Sequence, residues 1–156
     1  MNLSKEARQT FRIIDANLNR VGEGLRLLED IARLLLNDAI LTEQLKAMRH
    51  KLLESEWAFQ QQLLQSRNSE GDVGIDMEVA GEEKQRDIPA ILVSNSRRVQ
   101  ESLRVMEEMA KAPGLGLDPE KFKKARFALY TIEKSLFSIV LRQDKIKRLS
   151  PDGRKD

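Results

Sequence analysis

The chain has 156 residues, which is long enough for one domain with a substantial hydrophobic core. Its residues are 33% charged and 40% hydrophobic but only 4% aromatic, which favours helices packed through aliphatic side chains over a sheet. The absence of cysteine excludes disulfides, thiolate catalysis and thiolate metal sites. A net charge of +2, from 27 basic and 25 acidic residues, is too balanced to indicate a nucleic-acid partner. The apolar runs are too short to cross a membrane and no signal segment is recognisable, so we expect a cytoplasmic protein without a membrane partner.

Two helices are predicted in the first part of the chain, joined by a short connection around Asn37 and Asp38. The apolar residues of the first helix recur every three or four positions and therefore share one face. They are Ile14, Leu18, Val21, Leu25, Leu28, Ala32 and Leu35. The second helix is predicted from Leu41 to about Leu64, with Thr42 as its candidate cap. Because the connection is short, the two helices should be antiparallel neighbours.

Residues 66–87 show no periodicity and are rich in glycine and acidic residues. A loop this long in a compact domain is either functional or a mobile solvated linker, and both interpretations stay open. Pro89 then suits the first turn of a third helix, which ends near Pro113. Asp118 suits the N-cap of a fourth helix running to about Leu149, beyond which we expect a frayed polar tail.

The two helical hairpins carry an internal repeat. Residues 17–33, NLNRVGEGLRLLEDIAR, align without a gap with residues 95–111, NSRRVQESLRVMEEMAK, and eight of the seventeen positions are identical. A shared amphipathic pattern explains the matching apolar residues but not the repeated Asn, Arg and Glu, so we interpret the repeat as a duplication. The expected fold is therefore all-α and four-helix-bundle-like. It is a single domain, residues 1–156, with duplicated antiparallel hairpins at 11–65 and 88–149 joined by the loop 66–87.

The repeated polar residues are candidate ligands for an anion. Asn17 and Arg20 in the first copy border an apolar face, as do Asn95 and Arg98 in the second. These four side chains would converge across a pseudo-twofold axis, and the planar guanidinium group suits phosphate because it binds it in a bidentate way. The second helices also match, and their repeated arginines, Arg49 and Arg126, would contribute from the facing wall.

Other interpretations of the repeated charges are open. Arg20 and Glu23 would alternatively form a half-buried pair that holds the two hairpins together. Arg26, Glu29 and their copies are expected to form a solvated face of ion pairs spaced by four residues. Gly24 lies in mid-helix at a cost of about 1 kcal/mol relative to Ala, which indicates close approach by another backbone or a ligand.

The loop offers a second candidate site. Asp72 could hold Mg and Gly74 could let backbone N–H groups face a phosphate. Because the chain has one histidine and no cysteine, a metal site would be built mainly from oxygen ligands, which suits Mg. No GxxxxGK[ST] motif and no strand-linked GxGxxG motif occurs in the sequence.

Several segments resemble a known family. RIIDANLNRVGEGLRLLEDIAR, the DVG of the loop, NSRRVQESLRVMEEMAK and KARFALYTIEK are similar to the small monofunctional hydroxymethylpyrimidine phosphate kinases of thiamine biosynthesis. That domain occurs alone or fused in front of thiamine-phosphate synthase. The resemblance implies ATP- and Mg-dependent phosphorylation of 4-amino-5-hydroxymethyl-2-methylpyrimidine phosphate to the diphosphate. This chain departs from the family pattern at Asn68 and Ile75.

Roles are assigned to the matching positions as hypotheses. The catalytic candidates are Asp72, Arg20 and Arg98, with Asp72 also the metal ligand. The substrate-binding candidates are Asn17, Asn95, Glu23, Glu101, Arg49, Arg126 and Gly74. The competing hypotheses are a non-catalytic module that docks onto thiamine-phosphate synthase, and a helical module that uses the repeated face to form a homodimer.

Overall fold

The computed structural model describes residues 3–80 and 85–149. Within these residues every regular element is helical and there is no strand, so the all-α prediction is confirmed. The helices are α1 (Lys5–Asp30), α2 (Ala39–Leu53), α3 (Trp57–Ser66), α4 (Ile88–Met109) and α5 (Pro119–Leu149). The described part of the chain thus holds five α-helices where four were expected. None of them is long and apolar enough to cross a membrane.

The connection between α1 and α2 is tight. α1 continues into one π-helical turn, Ile31–Leu35, and Asn37 follows in the left-handed region with φ 50°. The Asp38 carboxylate then accepts a hydrogen bond from the Leu41 N–H at 2.9 Å and caps α2. The expectation that Thr42 is the cap was wrong. Thr42 lies within the first turn, and its hydroxyl donates to the Asp38 carbonyl at 2.6 Å.

The helix predicted from Leu41 to about Leu64 is divided into α2 and α3. The backbone turns extended at Glu54, with ψ 124°, and α3 begins at Trp57. α3 then folds back onto α1, where Phe59 meets Phe11 edge to face at 5.9 Å between ring centroids. This packing, which also buries Leu63, is a tertiary effect that the helical periodicity of the segment does not reveal.

The predicted starts of the last two helices are confirmed. Asp87 caps α4 by accepting from the Ala90 N–H at 3.0 Å, and Pro89 lies in the first turn. Asp118 accepts from the Glu120 N–H at 3.0 Å at the start of α5. The polar tail expected to fray after Leu149 lies outside the described residues.

The hydrophobic core lies where α1 and α4 pack together, with α2 and α3 against α1 and α5 against α4. α1 and α4 approach closely at Gly24, where an added Cβ would lie 2.3 Å from Val99 Cγ2. The prediction of close approach at Gly24 is confirmed, and its neighbour is a helix of the same chain. The face around Gly24 is therefore covered by α4, while the duplication of the hairpins stays an interpretation of the sequence.

Candidate functional site

A buried ion pair joins the two helices of each half. Arg49 on α2 donates through Nε to Glu29 Oε2 at 2.9 Å and through Nη2 to Oε1 at 3.4 Å. At the aligned positions, Arg126 on α5 donates through Nε and Nη2 to Glu107 Oε2 on α4 at 3.1 and 3.0 Å. The side chains of Glu29 and Arg49 are only 4% and 14% exposed. These pairs hold α2 against α1 and α5 against α4.

The expected solvated face is therefore wrong for Glu29 and Glu107, because both carboxylates are buried. Arg26 is exposed as expected, and it reaches Glu29 at 3.7 Å, at a spacing of three residues and not the predicted four. Burial alone would raise the pKa of Glu29, but the hydrogen bond and charge of Arg49, with the charges of Arg26 and Lys46, lower it. Because Arg49 and Arg126 bind these carboxylates, their repetition in the sequence has a structural explanation without a ligand.

The residues at the start of the repeat form hydrogen bonds within their own helices. Asn17 is buried and donates through Nδ2 to its own helix at the Ile13 carbonyl, at 2.9 Å. Its copy Asn95 makes the same bond to Ile91 at 2.9 Å. Arg20 is exposed and donates to Asn17 Oδ1 at 3.5 Å. Among the described residues Arg20 forms no ion pair with Glu23, so the alternative of a half-buried pair is not observed.

An open groove of about 860 Å³ runs between α1 and the segment that follows α3. It brings together three residues that the sequence predicted, Asn17, Arg20 and Asp72. We call it the phosphate groove, after the ligand expected from the sequence for these residues. The other polar residues that line it are Gln9, Arg12, Asp15, Asn19, Arg67, Asn68 and Ser69.

The wall of the phosphate groove is fixed by a bidentate ion pair between residues 52 positions apart. Arg67 donates through Nε to Asp15 Oδ2 at 2.6 Å and through Nη2 to Oδ1 at 3.0 Å. The hydrogen bonds to Asp15 raise the pKa of Arg67, so this arginine stays charged. No pattern in the sequence predicted this pair. The one sign of it in the sequence is that Asp15, next to the core residue Ile14, is a carboxylate, whereas the aligned residue of the second half is Val93.

The phosphate groove carries uncompensated positive charge. Arg67 is neutralised by Asp15, whereas Arg12 donates to the Asn68 carbonyl at 3.3 Å and Arg20 to the Asn17 amide. Neither Arg12 nor Arg20 has a carboxylate partner within residues 3–80 and 85–149. Two guanidinium groups on one helix, neither of them paired with a carboxylate of the described residues, suit a ligand with several anionic oxygens.

Asp72 contributes the one carboxylate of the phosphate groove that no arginine binds in the described residues. Its Oδ1 accepts the Gly74 N–H at 2.9 Å, so the N–H group that was expected to face a phosphate is turned towards Asp72. The part of the chain that the structure describes holds no group of three metal-ligating side chains. Mg²⁺ is commonly held by one or two carboxylates together with substrate phosphates, and a lone exposed Asp72 fits that arrangement.

The expected convergence of both copies on one ligand is not observed. No described residue of α4 lines the phosphate groove, so Asn95 and Arg98 do not line it together with Asn17 and Arg20. Glu101 lines a separate groove of about 540 Å³ with Arg126 and other residues of the second half. The structure therefore brings Asn17, Arg20 and Asp72 together in one groove, and the other candidates do not line it.

Comparison with known proteins shows that the segment of the chain that forms this groove matches a protein family. The ThiD2 family model matches residues 12–135, a span that contains the phosphate groove apart from Gln9 and includes all of α4. No solved structure matches the chain. A thiamine-phosphate synthase of Rhodopirellula baltica is 44% identical over 107 residues, which cover 68% of this chain and 28% of that protein.

Two cyanobacterial proteins match a longer part of the chain. The thiamine-phosphate synthase of Nostoc punctiforme is 37% identical over 128 residues, 81% of this chain and 35% of that protein. The thiamine-phosphate synthase of Synechocystis sp. is 38% identical over 134 residues, 85% of this chain and 37% of that protein. The chain thus spans about a third of the length of these curated relatives. Because the family model covers most of the sequence, the chain belongs to the ThiD2 family.

Proposed function

We propose that this chain is a kinase that transfers the γ-phosphoryl group of ATP to 4-amino-5-hydroxymethyl-2-methylpyrimidine phosphate in thiamine biosynthesis. An oxygen of the substrate phosphate forms a bond to the γ-phosphorus while the bond from that phosphorus to the β-phosphate oxygen breaks. The products are the pyrimidine diphosphate and ADP. The observation that carries the proposal is the phosphate groove, in which Arg12 and Arg20 lack carboxylate partners in the described residues and stand near Asp72.

The residues of the phosphate groove suit phosphoryl transfer because this reaction depends mainly on positioning and on neutralising charge. Arg20 and Arg12 would bind phosphate oxygens, and hydrogen bonds to charged groups contribute about 1.5–3 kcal/mol each. The pair Asp15–Arg67 would hold the segment 67–72 against α1. The acceptor is already an anionic phosphate, so the reaction needs no covalent nucleophile on the protein.

Asp72 would hold the Mg²⁺ that accompanies ATP, with the phosphates as its other ligands. When bound, this ion would neutralise charge on the transferred phosphoryl group. We propose that the site lies in the first half and uses Asn17, Arg20 and Asp72. The candidates Asn95, Arg98, Glu101, Arg49, Arg126 and Gly74 do not line the phosphate groove.

A second candidate function is a non-catalytic module that docks onto thiamine-phosphate synthase or holds its pyrimidine substrate. Two findings favour it: the relatives are named thiamine-phosphate synthases, and each is about three times as long as the segment that matches this chain. A docking module would bind pyrimidine phosphate without consuming ATP. Homodimer formation stays a prediction in either case.

The test is product analysis with the purified chain, Mg²⁺, ATP and the pyrimidine phosphate, followed by phosphorus NMR. We expect a pyrimidine diphosphate and ADP in equal amounts, and no ADP when the pyrimidine phosphate is omitted. Replacing Arg20 by Ala should lower kcat/KM by about 100-fold, as loss of a donor to developing charge does in other enzymes. The matched control is Arg8→Ala, an exposed arginine of α1 outside the groove. Absence of diphosphate with the wild-type chain would refute the kinase proposal.

A further inference from the structure

A second groove, of about 400 Å³, lies on the other side of the Asp15–Arg67 pair. Both residues of that pair also line the phosphate groove, so the two grooves are neighbours that share one wall. The second groove lies between α1, the end of α2 and α3, and we call it the ring groove. Its volume falls within the range of about 300–1,000 Å³ that is usual for small-molecule sites.

Two features around the ring groove are absent from the second half of the chain. At Gly22 an added Cβ would lie 3.0 Å from Leu53 Cδ1, so the end of α2 lies directly against α1. The aligned residue of the second half is Gln100, whose amide donates to Glu133 on α5. The break after Leu53 then lets α3 turn back over α1, whereas α5 continues unbroken through the aligned residues.

The lining of the ring groove combines apolar faces with polar edge groups. The apolar part consists of Leu18, Leu53, Leu63 and Leu64. Glu23 also lines it, is exposed, and has no ion-pair partner in the described residues. Gln60 donates through Nε2 to the Ser55 carbonyl at 3.0 Å, which orients its amide within the same groove.

This lining matches the chemistry of an aminopyrimidine. The two faces of such a ring are flat and apolar, and its edge carries an exocyclic amine next to a ring nitrogen. Carboxylate oxygens only accept hydrogen bonds, so Glu23 is suited to the amine, while an amide such as Gln60 both donates and accepts. Leucine side chains are suited to the faces.

We propose that the ring groove binds the aminopyrimidine ring, with Glu23 as the residue that selects the amino group, while the phosphate of the same substrate lies across the Asp15–Arg67 pair in the phosphate groove. This inference rests on the proposed function for the identity of the substrate. It assigns Glu23 to ring recognition and separates it from the arginines that bind phosphate.

The test compares two substitutions in the ring groove with a control outside it. Glu23→Gln removes the charge, and Gly22→Gln introduces the residue of the aligned position at a point where even a Cβ would lie 3.0 Å from Leu53 Cδ1. Glu43→Gln is the control, an exposed glutamate of α2 that does not line either groove. Circular dichroism and thermal melting select the variants that fold like the wild type.

For Glu23→Gln, KM for the pyrimidine phosphate should rise about tenfold while KM for ATP changes less than about twofold, as expected when a hydrogen bond to a charged group becomes one between neutral groups. A substrate analogue with a 4-oxo group in place of the 4-amino group should be rejected by the wild type. The variant should lose most of that preference, which a purely structural effect would not cause. Gly22→Gln should abolish binding of the pyrimidine phosphate.

Binding is measured by calorimetry with the unphosphorylated hydroxymethylpyrimidine as the probe. The results distinguish a failure of this inference from a failure of the proposed function. If the wild-type chain forms no diphosphate but binds the probe, and Glu23→Gln weakens that binding, the kinase proposal fails and the ring groove stands. If the chain forms diphosphate, and both folded variants keep the wild-type KM and the preference for the amino group, the ring groove is overturned and the kinase stands. If the wild type neither binds the probe nor forms diphosphate, both are overturned.

Discussion

Removing Arg49 from its buried pair should cost the protein about 3 kcal/mol of unfolding free energy. Arg49→Met keeps an apolar stem but leaves the Glu29 carboxylate, 4% exposed, without its bonds at 2.9 and 3.4 Å. Breaking a buried pair in this way costs about 3–5 kcal/mol. The lower end applies because Arg26 remains 3.7 Å from the same carboxylate. In a chain of this size the loss corresponds to a fall in Tm of about 6–12 °C.

Urea denaturation of the wild type and of Arg49→Met, with Arg8→Met as the exposed control, measures this loss. The double variant Glu29→Leu with Arg49→Met should recover most of the stability, because two apolar residues often replace a buried pair at little cost. A loss below about 1 kcal/mol for Arg49→Met, the range of surface pairs, would refute the assignment of a buried structural pair. A stable double variant with a strongly raised KM for ATP would instead show that Arg49 binds substrate, as the sequence predicted.

Three further predictions follow. The pKa of Glu29 is lower in the folded chain than its ordinary value of 4.5, so the Glu29 carboxylate stabilises the fold above that value. This stabilisation is lost as the pH falls through the lower, folded pKa. In urea denaturation at a series of pH values, Glu29→Gln should therefore lose less stability than the wild type as the pH falls. Gly24→Leu should destabilise the chain by more than about 3 kcal/mol, because even a Cβ there would lie 2.3 Å from Val99 Cγ2. An unchanged Tm in thermal melting would contradict the close packing of α1 on α4. Arg20→Lys should lower kcat/KM about tenfold through loss of bidentate binding, and Arg98→Lys less than about twofold; equal losses would restore a composite site.

Much of the fold could be predicted from local patterns. The periodicity of α1, Pro89 in the first turn of α4 and the cap at Asp118 each depend on a few neighbouring residues, and the structure has them as predicted. The exception is Leu35, which was expected on the apolar face of the first helix but is 50% exposed, because α1 passes into a π-helical turn. The break between α2 and α3 could not be predicted, because residues 54–56 contain neither proline nor glycine and are all compatible with a helix. The break arises because α3 gains contacts with α1, which helix propensity does not describe.

The candidate site was predicted in part. Asn17, Arg20 and Asp72 were chosen from a repeat and a loop motif, and the structure places all three in the phosphate groove. The expected symmetry was misleading, because the repeat specifies which residues are similar but not which helix each one faces. The Asp15–Arg67 pair could not be predicted, because no periodic pattern links residues 52 positions apart in the chain.

The location of the site in the first half of the chain is the central claim, and one titration tests it. Amide resonances of the isotope-labelled chain would be followed by NMR while the pyrimidine phosphate is added. The account predicts that the largest shifts cluster in residues 12–23 of α1 and residues 60–72, which line the two grooves. Shifts of equal size at the aligned residues 95–101 of α4, or shifts centred there, would contradict it.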